Sequence, residues 1–340
     1  MVDMRIVCFD LKESIQRVDS FEMFLYILGL LVIFYGYRWF KELKQVPNKS
    51  EKHVYITGCD TGFGNLLAKH LDEKGFCVIA GCYTEKGEIE LKKACSARLI
   101  TVQLDVSDND SIKKAAGIIK NTVGEKGLWA VVNNAGISQP SGPTEWMVLD
   151  DFKKMLNVNL LGVIAVTLSV LPFIKKAKGR VVNISSVVGR ICVNSAPYSI
   201  SKHGVEAFND CLRLNMAPFG VKVLCIEPGF FKTSMSDPSF LQHNLQKFWD
   251  RLPEDVRNDY GSDYIDKVKA VFAKRIGKSL DQDLWKVVSC MAHAVSAVHP
   301  RTRYSAGWDA KFFWLPLSYM PSFITDAILL KNTIKPKACI

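Results

Sequence analysis

From His53 onward, short apolar runs rich in β-branched residues alternate with longer amphipathic stretches. The runs are HVYITG, FCVIAGC, LITVQLD, LWAVVNN, RVVNISS and VKVLCIE. Each is apolar nearly throughout, the pattern of a strand covered on both faces. The intervening stretches have helical length. Leu149, Phe152, Leu156 and Asn159, for example, recur at i, i+3, i+7 and i+10, along one side of a helix. Strands alternating with helices predict an α/β fold, a doubly wound parallel sheet. Ligands of such sheets bind beyond the carboxyl ends of the strands, and the most distinctive residues of this chain fall there. No internal repeat or low-complexity segment interrupts the pattern.

The most hydrophobic stretch lies before this body. MFLYILGLLVIFYGYRWF holds fifteen uncharged residues, Met23 to Tyr37, between Glu22 and Arg38. As a helix they cover about 22 Å, against a hydrocarbon core of roughly 30 Å. Glu22 and Arg38 therefore have to snorkel, with Tyr37 and Trp39 at the interface. Bulky residues come after the run, unlike the small ones of a signal-peptide cleavage site. A membrane-anchor helix is expected. Lys12 and Arg17 precede it, and Arg38, Lys41, Lys44, Lys49 and Lys52 come after it. The positive-inside rule then puts the body of the chain in the cytosol. The sequons at Asn48 and Asn109 are usable only if that body is lumenal.

Composition narrows the classes. At 340 residues the chain has room for one substantial core with an appendage. Its net charge of +10 gathers near the apolar segment and near Lys331, Lys335 and Lys337. No basic run interleaved with aromatics tracks a nucleic-acid groove, so membrane lipid is the expected partner and nucleic acid is not. The ten cysteines form no C-x-x-C pair, which favours buried free thiols in a reducing compartment. The six histidines show no ligand spacing, so no metal site is expected.

The chemistry lies at the strand ends. The first strand runs into TGCDTGFGN, with Gly58, Gly62 and Gly64 spaced G-x-x-x-G-x-G. Glycines between a strand and a helix let the backbone approach a pyrophosphate resting on the helix N-terminus. QLDV places Asp105 at the third strand's edge, either as an acceptor for an adenine amino group or as a helix N-terminal acid. NNAG, residues Asn133, Asn134, Ala135 and Gly136, ends the fourth strand. NISSVVG ends the fifth, with Ser186 twelve residues before Tyr198. EPGFFKT ends the sixth, with Pro228, Gly229 and Thr233. In APYSISKHG, Tyr198 and Lys202 stand one helical turn apart behind Pro197, a favoured helix-start residue. An ammonium beside a phenol favours the phenolate and is expected to lower its pKa.

These motifs, in this order, resemble the short-chain dehydrogenase/reductase superfamily from about His53 to Pro300. ITGCDTGFGNLLAKHL, GLWAVVNNAG, RVVNISSVVGR and HPRTRYSAGWDAKFFWLPLSYMP, with the anchor, are similar to its microsomal retinol and hydroxysteroid dehydrogenase branch. The resemblance implies a Rossmann-like single domain with Asn159, Ser186, Tyr198 and Lys202 as catalytic tetrad. It implies dinucleotide contacts from Thr57, Gly58, Asp60, Thr61, Gly62, Phe63 and Gly64. Asp105, Val106, Asn133 to Gly136, Tyr198, Lys202, Pro228, Gly229 and Thr233 would complete that set. No Arg comes directly after the second strand to clasp a 2′-phosphate and Asp60 would repel one, so NAD is the expected cofactor. The branch's glycine run before the tyrosine is replaced here by VNSAP.

The expected organisation is an anchor over 1–48, a dinucleotide-binding catalytic domain over 49–300 and a membrane-associated or capping segment over 301–340. A substrate lid is expected at about 234–285, with Phe240, Leu241 and Trp249 beside Ser186 as substrate contacts. The implied activity is NAD-dependent oxidation of a retinol or hydroxysteroid at the endoplasmic reticulum membrane, with a homodimer among the partner expectations. An NADPH-dependent carbonyl reductase and a non-catalytic dinucleotide-sensing or lipid-binding scaffold are the alternatives.

Overall fold

A computed structural model describes residues 20–193, 196–233, 238–331 and 333–339. The chain divides into two units, Met1–Val46 with Ala297–His299, and Pro47–Ser296 with Pro300–Ile340. In the first unit, helix α1 (Ser20–Glu42) is 23 residues long, about 34 Å at 1.5 Å per residue. That exceeds the apolar run itself, because the helix goes on through Arg38, whose guanidinium pairs with Glu42 at 3.0 Å. Its large apolar side chains are exposed from Met23 to Phe40. A second stretch, Leu149–Lys176, also has the length and composition of a membrane span. It packs into the hydrophobic core of the second unit, where Val166, Val170 and Ile174 are buried.

The second unit carries a seven-stranded sheet in the order β3-β2-β1-β4-β5-β6-β7. The strands are β1 (His53–Thr57), β2 (Cys77–Cys82), β3 (Ile100–Gln103), β4 (Ala130–Asn133), β5 (Arg180–Ile184), β6 (Lys222–Pro228) and β7 (Arg303–Ala306). Every pairing is parallel. The expected doubly wound sheet is therefore present, with its order reversing between β1 and β4, where a crevice opens at the carboxyl ends. The seventh strand lies inside the stretch read as a C-terminal segment. RYSA is short and half polar, so it lacks the continuous apolar signal of the other six, and only its pairing to β6 makes it a strand.

Connecting helices cover both faces. α2 (Gly62–Glu73) comes after β1, α3 (Glu85–Ala94) after β2 and α4 (Asn109–Val123) after β3. After β4 come α5 (Leu149–Leu156), a π turn (Asn157–Leu161) and α6 (Gly162–Lys176). α7 (Ala196–Met216) joins β5 to β6. Ile112, Ile119, Val170, Ile174 and Leu212 bring α4, α6 and α7 onto one face, against Tyr55, Val131 and Val181. After β6 come α8 (Pro238–Arg251), α9 (Glu254–Tyr260), α10 (Tyr264–Ser279) and α11 (Trp285–Ser296), the last packing beside α2. α8 and α10 form a small core of their own with Trp146, in the stretch expected to be the lid. Helical turns Ala310–Trp314 and Leu315–Leu317 and helix α12 (Ser322–Leu330) close the chain.

The stripe expected on α5 holds except at its first position. Leu149, at the helix start, is exposed, Phe152 and Leu156 are half-buried, and Asn159 is fully buried on the π turn, with Met155 also on the buried side.

Candidate active site

The glycine loop bridges β1 and α2. Gly58 has φ +71° and Gly62 φ +63°, both in the left-handed region, which favours glycine because it lacks a Cβ. Gly62 and Gly64 are constrained in different ways. A Cβ on Gly64 would stand 2.4 Å from the Gly58 carbonyl oxygen and 2.5 Å from Asn134 Nδ2. A Cβ on Gly62 would meet nothing within 4 Å. Gly64 thus serves packing within the chain, and Gly62 faces open space at the start of α2. The N-cap residue Thr61 makes no side-chain cap there. This cradle fits the pyrophosphate of a dinucleotide.

Thr57 and Asn134 lock β1 to β4. Thr57 Oγ1 accepts from the Asn134 N–H at 3.1 Å and the Ala135 N–H at 3.0 Å. Asn134 Nδ2 donates to the carbonyls of Thr57 at 2.9 Å and Gly58 at 3.0 Å. Its neighbour Asn133 points the other way, as alternate strand residues must. Asn133 is buried and donates to Thr167 Oγ1 and Asn183 Oδ1, both at 2.8 Å. Its side chain therefore belongs to the core and not to the crevice.

Asp60 reaches from the glycine loop to the end of β2. Its carboxylate accepts from the Tyr83 and Thr84 N–H groups at 2.8 Å and from Thr84 Oγ1 at 2.7 Å. The sequence has no acid directly after β2, and the fold supplies one from elsewhere. Asp105 is not the acid at the N-terminus of α4, a place taken by Asp108; its Oδ1 closes a local turn, accepting from Ser107 N–H at 2.8 Å and Ser107 Oγ at 2.7 Å. Val106 is nearly buried beside it. Phe63 packs edge-on to Phe231, with ring centroids 5.8 Å apart. Gly229 lies against Asp309, which accepts from the Phe230 N–H at 2.9 Å. Thr233 is partly buried in the stretch after β6.

Asn159, Ser186, Tyr198 and Lys202 gather at the carboxyl end of β5. The Ser186 hydroxyl stands beside the Tyr198 phenol, donates to the Pro228 carbonyl at 3.5 Å and accepts from the Val188 N–H at 3.3 Å. Lys202 Nζ lies 5.6 Å from the Tyr198 ring centre and donates to the Ile184 carbonyl at 2.8 Å. Asn159 is fully buried on the π turn. Its amide pins the loop after β4, accepting from Ile137 N–H and donating to Ile137 C=O, both at 2.8 Å. It also donates to Ser201 Oγ at 3.2 Å.

The expected lowering of the phenol does not hold. Burial pushes Tyr198 up to about 12, and the Ser186 hydroxyl beside it pulls it back only in part. Lys202 moves down to about 8, again by burial, opposed by Cys225 and Glu206. A buried site disfavours both charged forms, and here that outweighs the pairing expected from their spacing.

Of the expected substrate contacts, Trp249 is buried among Trp146, Leu245, Phe248 and Tyr264, its ring 5.4 Å from that of Trp146. It is a core residue of the small cluster formed by α8, α10 and Trp146, so the aromatic signal marked packing. The side chains of Phe240 and Leu241 lie outside the described residues. Glu206 and Arg303, which meet behind the tetrad, were missed, although a Glu one turn after Lys202 was a visible signal. Among the described residues, no group of three or more His, Cys, Asp or Glu side chains is placed to hold a metal ion.

A doubly wound sheet with a glycine cradle at β1 and a Ser-Tyr-Lys cluster at β5 defines a nicotinamide-dinucleotide oxidoreductase. The short chain dehydrogenase family model matches residues 52–244, and the chain belongs to that family. It is 50% identical to retinol dehydrogenase 16 of Mus musculus over 321 residues, 94% of this chain and 100% of that one. It is 46% identical to 17-beta-hydroxysteroid dehydrogenase type 6 of Bos taurus over 318 residues, 94% of this chain and 100% of that one. A short-chain dehydrogenase from Streptomyces avermitilis has the same fold, with TM-score 0.65 and 24% identity over 83% of this chain and 98% of that one.

Proposed function

We propose that this protein is a membrane-anchored, NAD-dependent dehydrogenase of a lipophilic alcohol, a retinol or a hydroxysteroid. The observation that carries the chemistry is the placement of Ser186 beside the Tyr198 phenol with Lys202 one turn away. The relatives named for retinol and for 17-beta-hydroxysteroid activity support the substrate class.

In this reading the Gly58–Gly64 loop and the start of α2 hold the pyrophosphate. Asp60, at the end of β2, puts a carboxylate where the 2′-phosphate of NADP would be repelled. When bound, the nicotinamide supplies the hydride acceptor. The chain supplies the rest. Ser186 Oγ hydrogen-bonds the substrate oxygen and steadies charge on it. Tyr198 Oη takes the alcohol proton in oxidation and returns it in reduction. The Lys202 ammonium, one turn away, favours the phenolate and works against the burial that otherwise holds the proton on Tyr198. Asn159 holds the loop at Ile137.

Purified full-length protein with NAD or NADP and a panel of retinols and 3α- and 17β-hydroxysteroids tests this. NAD-dependent oxidation of at least one member is expected. Turnover confined to NADPH and carbonyl substrates would replace the reading with the reductase. Dinucleotide binding without turnover on any panel member would replace it with the scaffold.

α1 supports anchoring, and the Lys and Arg residues after it support a cytosolic body at the endoplasmic reticulum membrane. The segment after β7 exposes Trp308, Phe312, Tyr319 and Phe323, the composition of a membrane-interface face. Leu161 and Leu168 on one side and Ile200 and Leu214 on α7 are also exposed, surfaces on which a homodimer can form. After carbonate extraction of microsomes the protein is expected to stay in the pellet, and release would refute anchoring. On sealed microsomes added protease is expected to digest the catalytic domain. A protected domain, or a glycan on Asn48 or Asn109, would place it in the lumen.

A further inference from the structure

We propose that Glu206 is a positioning residue for Lys202: its carboxylate, clamped by Arg303, is the fixed counter-charge that keeps the buried ammonium charged and in place. The proposal rests on the role assigned to Lys202 above.

Lys202 has a problem that its backbone contact does not solve. It is buried, and its Nζ donates to the neutral carbonyl of Ile184. A buried ammonium is costly unless a counter-charge is near. The groups around it can be taken element by element. On α7 itself, Tyr198 is a neutral phenol, and His203 is engaged with the Ser199 carbonyl at 2.9 Å. From the π turn comes Asn159, also neutral. The α5 charges are spent elsewhere, Asp150 on Lys153 at 3.1 Å and Asp151 on Arg251. From the turn after β5 comes Ser186, a neutral hydroxyl. From β6 come Cys225 and Glu227.

Cys225 does not carry the charge. Burial pushes its thiol well above the ordinary value, so it is a neutral donor, giving its S–H to Glu206 Oε1 at 3.3 Å. Glu227 faces two guanidinium groups, Arg190 at 3.0 Å and Arg303 at 3.2 Å, whereas Glu206 faces only Arg303, which it shares with Glu227 and Asp210. Glu206 is left, on the same face of α7 as Lys202 and one turn further along.

Its position is fixed from two further sides. Arg303, on β7, donates to Glu206 Oε2 and to Asp210 Oδ2, the latter at 2.7 Å. The 3-10 turn Val187–Gly189 packs onto it directly. A Cβ on Gly189 would lie 2.9 Å from the Lys202 carbonyl oxygen and 3.1 Å from Glu206 Cγ. Strand β7, which carried no clear sequence signal, thus has a task in this arrangement: it brings Arg303 behind the catalytic helix.

The test compares wild type, Glu206→Gln, Glu206→Asp and the double variant Glu206→Gln/Arg303→Gln, all as full-length protein. kcat/KM for NAD-dependent oxidation is measured against pH. In parallel, the midpoint of Lys202 is read without turnover, from the pH dependence of its acylation by a small amine-reactive probe and peptide mass spectrometry. In Glu206→Gln both the alkaline limb and the acylation midpoint are expected to fall by about one pH unit, a tenfold change in the protonation equilibrium. Glu206→Asp, which keeps the charge, is expected to stay near wild type. The double variant leaves no unpaired arginine facing the substitution, and it decides the matter if the single Gln variant does not fold. A Lys202 midpoint that is unchanged in the Gln variants, or that falls equally in the Asp variant, overturns the proposal. Absence of turnover in wild type would count against the proposed function alone, because the acylation midpoints still decide the role of Glu206.

Discussion

Replacing Tyr198 by Phe is expected to lower kcat by roughly 10²- to 10⁴-fold, the usual worth of a positioned proton carrier, while dinucleotide affinity stays close to wild type. The ring keeps its place on α7, and only Oη and its interaction with Ser186 are lost. Ser186 keeps the Val188 N–H as a partner, so the fold should lose only about 1 kcal/mol. Turnover near wild type in the Phe variant would remove Tyr198 from the mechanism. The wild-type pH profile carries a second part of the same expectation. Tyr198, pushed up to about 12, keeps its proton across the neutral range. Lys202, pushed down to about 8, loses its proton as pH rises through that value. Carbonyl reduction needs both groups protonated, so its kcat/KM should be flat below about 8 and fall above it. A profile that instead rises through pH 8 would assign the working proton to another group.

The sheet was legible because five of its strands, β1, β2, β4, β5 and β6, are buried nearly throughout and leave continuous apolar runs between helix-length stretches, and the edge strand β3, though only partly buried, still carries such a run. The seventh was not, because an edge strand with burial on one side leaves only a short alternating trace. The tetrad was legible as a set of residues at strand ends, but its electrostatics were not. Spacing on a helix puts Lys202 beside Tyr198, yet it gives no measure of how far both are removed from water, and burial decides the sign of each shift. Trp249 shows the same gap from the other side: an aromatic residue in the stretch after β6 reads alike whether it lines a ligand or fills a local core. Asp60 and Arg303 act on residues 23 or more positions away in sequence, and local pattern carries nothing about such pairings.

The two glycines at the α2 start predict different failures from the same small substitution. Gly64→Ala puts a methyl group 2.4 Å from the Gly58 carbonyl and 2.5 Å from Asn134 Nδ2. Neither neighbour can yield freely, since that amide is already bonded to the Thr57 and Gly58 carbonyls that join β1 to β4. Overpacking of this kind costs about 1–3 kcal/mol, and each hydrogen bond broken in the clamp adds about 1 kcal/mol. A fall in Tm on the order of 10 °C is expected for a chain of this size, with dinucleotide binding lost alongside. Gly62→Ala meets no atom within 4 Å, although its φ of +63° carries a strain of roughly 1–2 kcal/mol for a residue with a Cβ. Its methyl group enters the open space at the α2 N-terminus, where the pyrophosphate is proposed to rest, so binding should weaken about tenfold or more against a Tm loss of only a few degrees. Calorimetric titration of NAD, with thermal melts of both variants, separates the two effects. Wild-type NAD affinity in a folded Gly62→Ala protein would move the dinucleotide away from this loop.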